Sequence, residues 1–151
     1  RFGLFDMVLI KDNHLPAAGS IGGAVKRARQ AGPGLQVQVE VRNPDEAEQA
    51  VAAGADQLLL DNMDPEMVRA TLARLGVTKG AATAGVESGA PAGAASAATG
   101  RPWIEVSGGV TLENVRAMAI PGVDSVAIGV ITHSAPALDL ALVVETIEDL
   151  A

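Results

Sequence analysis

The sequence predicts an α/β fold, specifically a partial open (β/α) barrel in which parallel strands are joined by crossover helices. Three observations predict it. Five apolar, strand-like runs, at 8–11, 37–40, 58–61, 104–107 and 126–129, mostly alternate with segments of helical periodicity. Each run ends in residues suited to a water-filled site: Lys11, Glu40, Asp61, Ser107-Gly108-Gly109 and Ile128-Gly129-Val130. In parallel α/β folds, ligands bind at these carboxyl ends. The third observation is alternation within the strands. Gln36, Gln38 and Glu40 share one face and Val37, Val39 and Val41 the other, and 57–61 and 103–107 repeat the pattern. A parallel strand buried between helix layers is apolar on both faces. One polar face therefore indicates a barrel lumen or open cleft rather than a flat doubly wound sheet.

The first strand is expected at Met7–Lys11, followed by a turn containing Pro16 and Gly19. Ser20 is the expected N-cap of a helix from Ile21 to Ala31, with Ile21, Val25 and Ala28 on one face. Gly32-Pro33-Gly34 stops it. A strand over Leu35–Val41 leads to Asn43-Pro44-Asp45-Glu46, an N-cap, a proline at N1 and acids in the first turn of a helix ending at Gly54. Strand Gln57–Leu60 follows. Asp64-Pro65-Glu66 repeats the helix-start chemistry, and Gly76 ends that helix. Residues 77–101 are rich in Ala, Gly, Ser and Thr and lack apolar periodicity, so they are expected to form a flexible surface insertion. The pattern resumes with strand Trp103–Val106, a helix over Leu112–Ala119 capped by Thr111, strand Ser125–Ile128 and a last helix over Leu138–Leu150.

Composition narrows the function. At 151 residues the chain can build one sizeable core, yet it is short for a closed eight-unit barrel of roughly 250 residues. Because it opens at Arg1 without an initiator Met, it is expected to be a fragment or an excised domain. A net charge of -7, with two Phe, one Trp and no Tyr, argues against nucleic-acid binding. No run of 18 apolar residues indicates a membrane span and no signal peptide is visible. The absence of cysteine excludes disulfides and thiolate metal sites and fits a cytoplasmic protein.

The chemistry concentrates at the strand ends. Glu40 and Asp61 close consecutive strands on one face, so their carboxylates can meet one Mg²⁺ or two ribose hydroxyls. Each alone also fits a helix cap or a partner for Lys11. Lys11 on the same face is either a structural counter-ion or a clamp for a carboxylate or phosphate. The glycines of 107–109 let backbone N–H groups approach a phosphate, and 128–130 offers a second such turn. His14 and His133 read as hydrogen-bonding loop residues, and Asp12, Asn13 and Asn62 as residues that tie loops together.

The strings themselves carry a resemblance. Arg1 to His14 (RFGLFDMVLIKDNH), Val39-Glu40-Val41, Leu60-Asp61-Asn62-Met63, Glu105 to Val110 (EVSGGV), Gly122-Val123-Asp124 and Ile128 to Ser134 (IGVITHS) occur in this order over nearly the whole chain. Together they resemble quinolinate phosphoribosyltransferase, the carboxylating nicotinate-nucleotide pyrophosphorylase family, with its type II phosphoribosyltransferase barrel. Only the molybdenum-associated relatives of that enzyme share enough of the pattern to compete.

The resemblance implies transfer of a phosphoribosyl group from phosphoribosyl pyrophosphate to quinolinate, with decarboxylation to nicotinate mononucleotide and Mg²⁺ as cofactor. It implies that Arg1 and Lys11 hold the pyridine dicarboxylate. Glu40 and Asp61 would lie near the ribose hydroxyls and Mg²⁺, and Ser107–Gly109 and Ile128–Val130 would grip a phosphate. It also implies a homodimer in which an N-terminal α/β domain completes the neighbouring subunit's site. The His that precedes the Arg1 position in the family, the upstream cationic segment, the first barrel strands and that domain are absent here. The 151 residues alone are thus expected not to form the full active site. The reading from a different class is a non-catalytic phosphate-binding fragment.

Overall fold

The computed structural model describes residues 5–77, 100–134, 137, 138 and 140. Arg1, residues 78–99 of the expected insertion and most of the expected last helix lie outside the described residues. The strands are β1 (Met7–Ile10), β2 (Gln36–Val41), β3 (Gln57–Asp61), β4 (Trp103–Ser107) and β5 (Ser125–Val126). The helices are α1 (Leu15–Ala18), α2 (Ile21–Ala31), α3 (Pro44–Ala52), α4 (Pro65–Arg74), α5 (Val115–Met118) and α6 (Val130–His133). A 3₁₀ turn spans Asp12–His14.

The sheet is parallel throughout and its strand order, β1-β2-β3-β4-β5, never reverses. Right-handed crossovers between sequential parallel neighbours all fall on the same side of a sheet. Helices therefore cover one face and leave the other open, as in a stretch of barrel wall.

The covered face is the core. Val37, Val39, Val41, Leu58, Leu60, Ile104 and Val106 are fully buried, and Ile21, Val25, Ala47, Ala50, Val68 and Leu72 of α2–α4 are buried with them. Each such Val, Leu or Ile side chain contributes about 1.5–3 kcal/mol relative to exposure. Small alanines at Ala47 and Ala50 let α3 sit close to the sheet. The alternating partners form the open face, in register: Gln38 beside Gln57 beside Trp103, and Glu40 beside Leu59 beside Glu105. These polar groups are cross-tied, Gln38 Nε2 donating to Glu105 Oε2 at 3.1 Å and Trp103 Nε1 to Ser125 Oγ at 3.0 Å. The alternation pattern thus reports a polar inner wall.

Helix starts follow the sequence. Ser20, Asn43 and Asp64 accept from the N–H groups of Gly23, Glu46 and Met67. At the amino ends of the strands the fold uses one device twice. Asp56 accepts from Val37 N at 2.7 Å and from Arg29 at 2.7 Å. Asp124 accepts from Ile104 N at 2.8 Å and pairs with Arg101 through both of its oxygens. Arg101, expected within the insertion, is thereby fastened to the sheet, and Val77 at the other end of that stretch is buried in the core. These ion pairs secure the rim opposite the strand ends that carry the chemistry.

Four local differences from the sequence reading have physical causes. The turn after β1 contains the one-turn helix α1, closed by Gly19 with φ +82°. The helix expected over 112–119 is reduced to Val115–Met118. Thr111 is not its cap: Asn114 Oδ1 accepts from Thr111 N and Asn114 Nδ2 donates to Gly109 O, which holds the preceding residues as a turn. The last strand is two residues long, although Ala127 N still donates to Val106 O at 2.8 Å. Residues Val130–His133, read as loop, form α6.

Candidate functional site

The carboxyl ends of the five strands share one rim. Lys11 follows β1, and its Nζ lies 3.4 Å from Glu40 Oε2; the Glu40 side chain is only 7% exposed while Lys11 is half exposed. A nearly buried carboxylate is costly without a partner, so Lys11 offsets a charge as well as presenting one to the cleft. The backbone at Lys11 is fixed in turn by its N–H, which donates to His14 Nδ1 at 2.9 Å. That is the hydrogen-bonding loop role the sequence suggested for His14.

Asp61 ends β3. Glu40 pairs in register with Leu59, so Asp61 stands two positions further along its strand. Strand geometry then separates the two Cα atoms by about 8 Å rather than the 4.8 Å of directly opposed residues. Among the described residues no group of three or more His, Asp or Glu side chains converges to hold a metal ion. The donor set is therefore no closed cage. Two oxygen-only carboxylates on one rim do fit Mg²⁺ that keeps its waters and arrives on a substrate phosphate.

Beside these acids lies a cavity of about 330 Å³, lined by Ser107, Gly108, Gly109, Val110, Thr111, Ala127, Gly129, Val130 and His133. It is built from the two turns singled out in the sequence. Gly108 and Gly109 have φ of +85° and +62°; Gly109 leaves backbone open to an anion, while the bare side of Gly108 packs on Asn62. Gly129 opens the one-turn helix α6 on the opposite wall. Ile128 contributes differently from its neighbours, because its side chain packs against the hydrophobic core.

Sequence reasoning missed His133 as a wall of this cavity. A Cβ on Gly129 would stand 2.8 Å from His133 Nε2, so the imidazole lies directly over that glycine. The contact follows from the one-turn helix, which puts residues four apart on the same side, but a single turn leaves no periodic signal in the sequence. His133 Nδ1 meets Ser134 Oγ at 2.8 Å, which leaves Nε2 on the cavity side. On the exposed turn beyond Thr111, a side-chain hydrogen bond from Thr111 and a backbone bond hold the Glu113 carboxyl below its ordinary value.

Asn62 joins the two parts of the rim. It has φ +53° and its N–H donates to Ser107 O at 2.9 Å. Its Nδ2 donates to Asp61 Oδ2, also at 2.9 Å.

A parallel five-stranded sheet whose strand ends carry Lys, Glu and Asp next to a glycine-walled cavity defines an α/β fold with its polar groups gathered at the carboxyl ends of the strands. The particular family follows from comparison: the chain belongs to the family described as quinolinate phosphoribosyl transferase, C-terminal domain, which matches residues 1–143. The nicotinate-nucleotide pyrophosphorylase (carboxylating) of Rattus norvegicus is 39% identical over 143 residues, covering 94% of this chain and 41% of its own length. The Homo sapiens protein of the same name is 38% identical with the same coverage. Among solved structures, NadC from Streptococcus pyogenes superposes with a TM-score of 0.70 at 33% identity, over 92% of this chain and 41% of that one. The chain therefore spans less than half the length of these relatives. Among the described residues no helix is long and apolar enough to cross a membrane.

Proposed function

We propose that this chain supplies the phosphoribosyl-binding part of an enzyme that joins phosphoribosyl pyrophosphate to quinolinate. The products are nicotinate mononucleotide, pyrophosphate and CO₂, for NAD synthesis. The observation that carries this reading is the adjacency of the 107–109 and 129–133 cavity to Asp61 and the Lys11–Glu40 pair on one rim.

In this reading the 5-phosphate enters the cavity, where backbone N–H groups of 107–109 and the turn at Gly129 meet its oxygens. His133 Nε2 adds a donor when protonated. Glu40 and Asp61 face the ribose and its diphosphate. Mg²⁺ carried on the diphosphate would supply charge neutralisation of the leaving group. As the pyridine nitrogen attacks the anomeric carbon and the bond to pyrophosphate breaks, positive charge develops on the ribose ring, and fixed carboxylates favour it. Lys11, with Arg1, orients the pyridine carboxylates; the carboxyl at ring carbon two leaves as CO₂ and a proton from solvent takes its place on that carbon, giving nicotinate mononucleotide. A cysteine-free chain fits the cytoplasm, where we place the full-length protein as a homodimer or higher homo-oligomer.

Incubating a full-length protein that carries this domain with phosphoribosyl pyrophosphate, Mg²⁺ and quinolinate tests this directly. The expected result is CO₂ and nicotinate mononucleotide in equal amounts. Pyrophosphate release that ignores quinolinate but responds to another acceptor would refute the quinolinate assignment and favour the molybdenum-associated relatives. Phosphate binding without turnover by that full-length protein would refute the enzyme reading and leave a binding module.

A further inference from the structure

We propose that Asn62 is a positioning residue that sets the Asp61 carboxylate relative to the phosphate cavity. The inference rests on the phosphoribosyl reading of that rim. Three features of one residue support it. Its backbone occupies the left-handed region at φ +53°, which non-glycine residues adopt rarely and at a cost the surroundings must offset. In that conformation its N–H reaches Ser107 O at 2.9 Å, tying the end of β3 to the first residue of the cavity turn. Its side chain turns back so that Nδ2 donates to Asp61 Oδ2 at 2.9 Å.

The turn itself holds the carboxamide in place. A Cβ on Gly108 would stand 2.5 Å from Asn62 Oδ1 and 2.6 Å from its Cγ, so the bare backbone of Gly108 lies against the amide. Rotation of Asn62 away from Asp61 is blocked on that side. One residue thus transmits the position of the phosphate turn to the carboxylate that faces the ribose. Asn suits this place because it tolerates a positive φ and carries a short donor.

The test is Asn62→Gly, which keeps the left-handed backbone and the N–H to Ser107 but removes the amide. Calorimetry compares inorganic phosphate, which needs only the cavity, with phosphoribosyl pyrophosphate plus Mg²⁺, which also needs Asp61. Losing a hydrogen bond to a charged group should weaken the second ligand roughly tenfold or more. The first should change less than about twofold. The Asp61 carboxyl ¹³C resonance should move in the variant. An unmoved resonance, or equal weakening of both ligands, would overturn the proposal.

If the unsubstituted chain binds neither ligand, the phosphoribosyl reading fails, while the Asp61 resonance still decides whether Asn62 holds that carboxylate. Should Asn62→Gly not fold, hydrogen exchange in the unsubstituted chain decides. The Asn62 side-chain amide, exposed like that of Asn13 but donating to Asp61, should exchange more slowly than the Asn13 amide, and equal rates would overturn the proposal.

Discussion

Gly108→Ala is the perturbation for which the structure specifies most. Gly108 has φ +85°, and a Cβ there would lie 2.5 Å from Asn62 Oδ1, 2.6 Å from Cγ and 2.8 Å from the Asn62 backbone nitrogen. Gly34 provides the control: its φ is +86°, but a Cβ would meet nothing within 4 Å. Both alanines carry the left-handed penalty of about 1–2 kcal/mol. Only Gly108→Ala adds the overlap, a further ~1–3 kcal/mol for a site that cannot relax without moving backbone. For a domain of this size each kcal/mol lowers Tm by about 2–4 °C. Thermal unfolding followed by circular dichroism should therefore find Gly108→Ala melting roughly 2–12 °C below Gly34→Ala. Adding Asn62→Gly removes the Oδ1 and Cγ contacts but leaves the backbone nitrogen, so recovery should be partial. Equal melting of the two single variants would refute the claim that the cavity turn is packed against Asn62.

Two further predictions concern parts of the fold with different exposure to solvent. Asp124→Ala strips Arg101 of its bidentate partner and Ile104 N of its acceptor, with both charged side chains under one-fifth exposed. Urea unfolding should register a loss of about 3 kcal/mol, against less for Asp56→Ala, whose pair with Arg29 is more exposed. Equal losses would contradict the burial argument. The Glu113 carboxyl is held below its ordinary value of 4.5 chiefly by the Thr111 side chain. A depressed carboxylate contributes stability that is complete above its unfolded value and disappears as pH falls through the folded one. Acidification below about 4.5 should thus destabilise the unsubstituted chain slightly more than Glu113→Gln. Parallel acid-unfolding profiles would argue that the Thr111 contact has no effect.

Much of the framework was legible because its signals are local or periodic. Ser20, Asn43 and Asp64 were readable as caps from their residue types and the prolines or periodicity after them. The polar inner wall was readable because side chains alternate strictly along β2, β3 and β4. Glu40 and Asp61 were readable as rim residues from their places at strand ends. Their relative offset was not, since register is set by pairing across strands that no single run reveals. One-turn helices such as Leu15–Ala18 and Val130–His133 have no period to detect, and with the second went the position of His133 over Gly129. Asn114 displaced Thr111 as the organiser of the turn before Val115 because its side chain both donates and accepts. The position of Asn62 beneath Gly108 depends on two loops meeting, which only the folded chain displays.

The central claim is that this chain assembles a half-site for a phosphoribosyl diphosphate. Calorimetric titration with phosphoribosyl pyrophosphate, with and without Mg²⁺, on the unsubstituted chain and on Glu40→Ala and Asp61→Ala, tests it most directly. The account predicts metal-dependent binding that both substitutions abolish. A folded chain that fails to bind, or binding indifferent to both carboxylates, would contradict it.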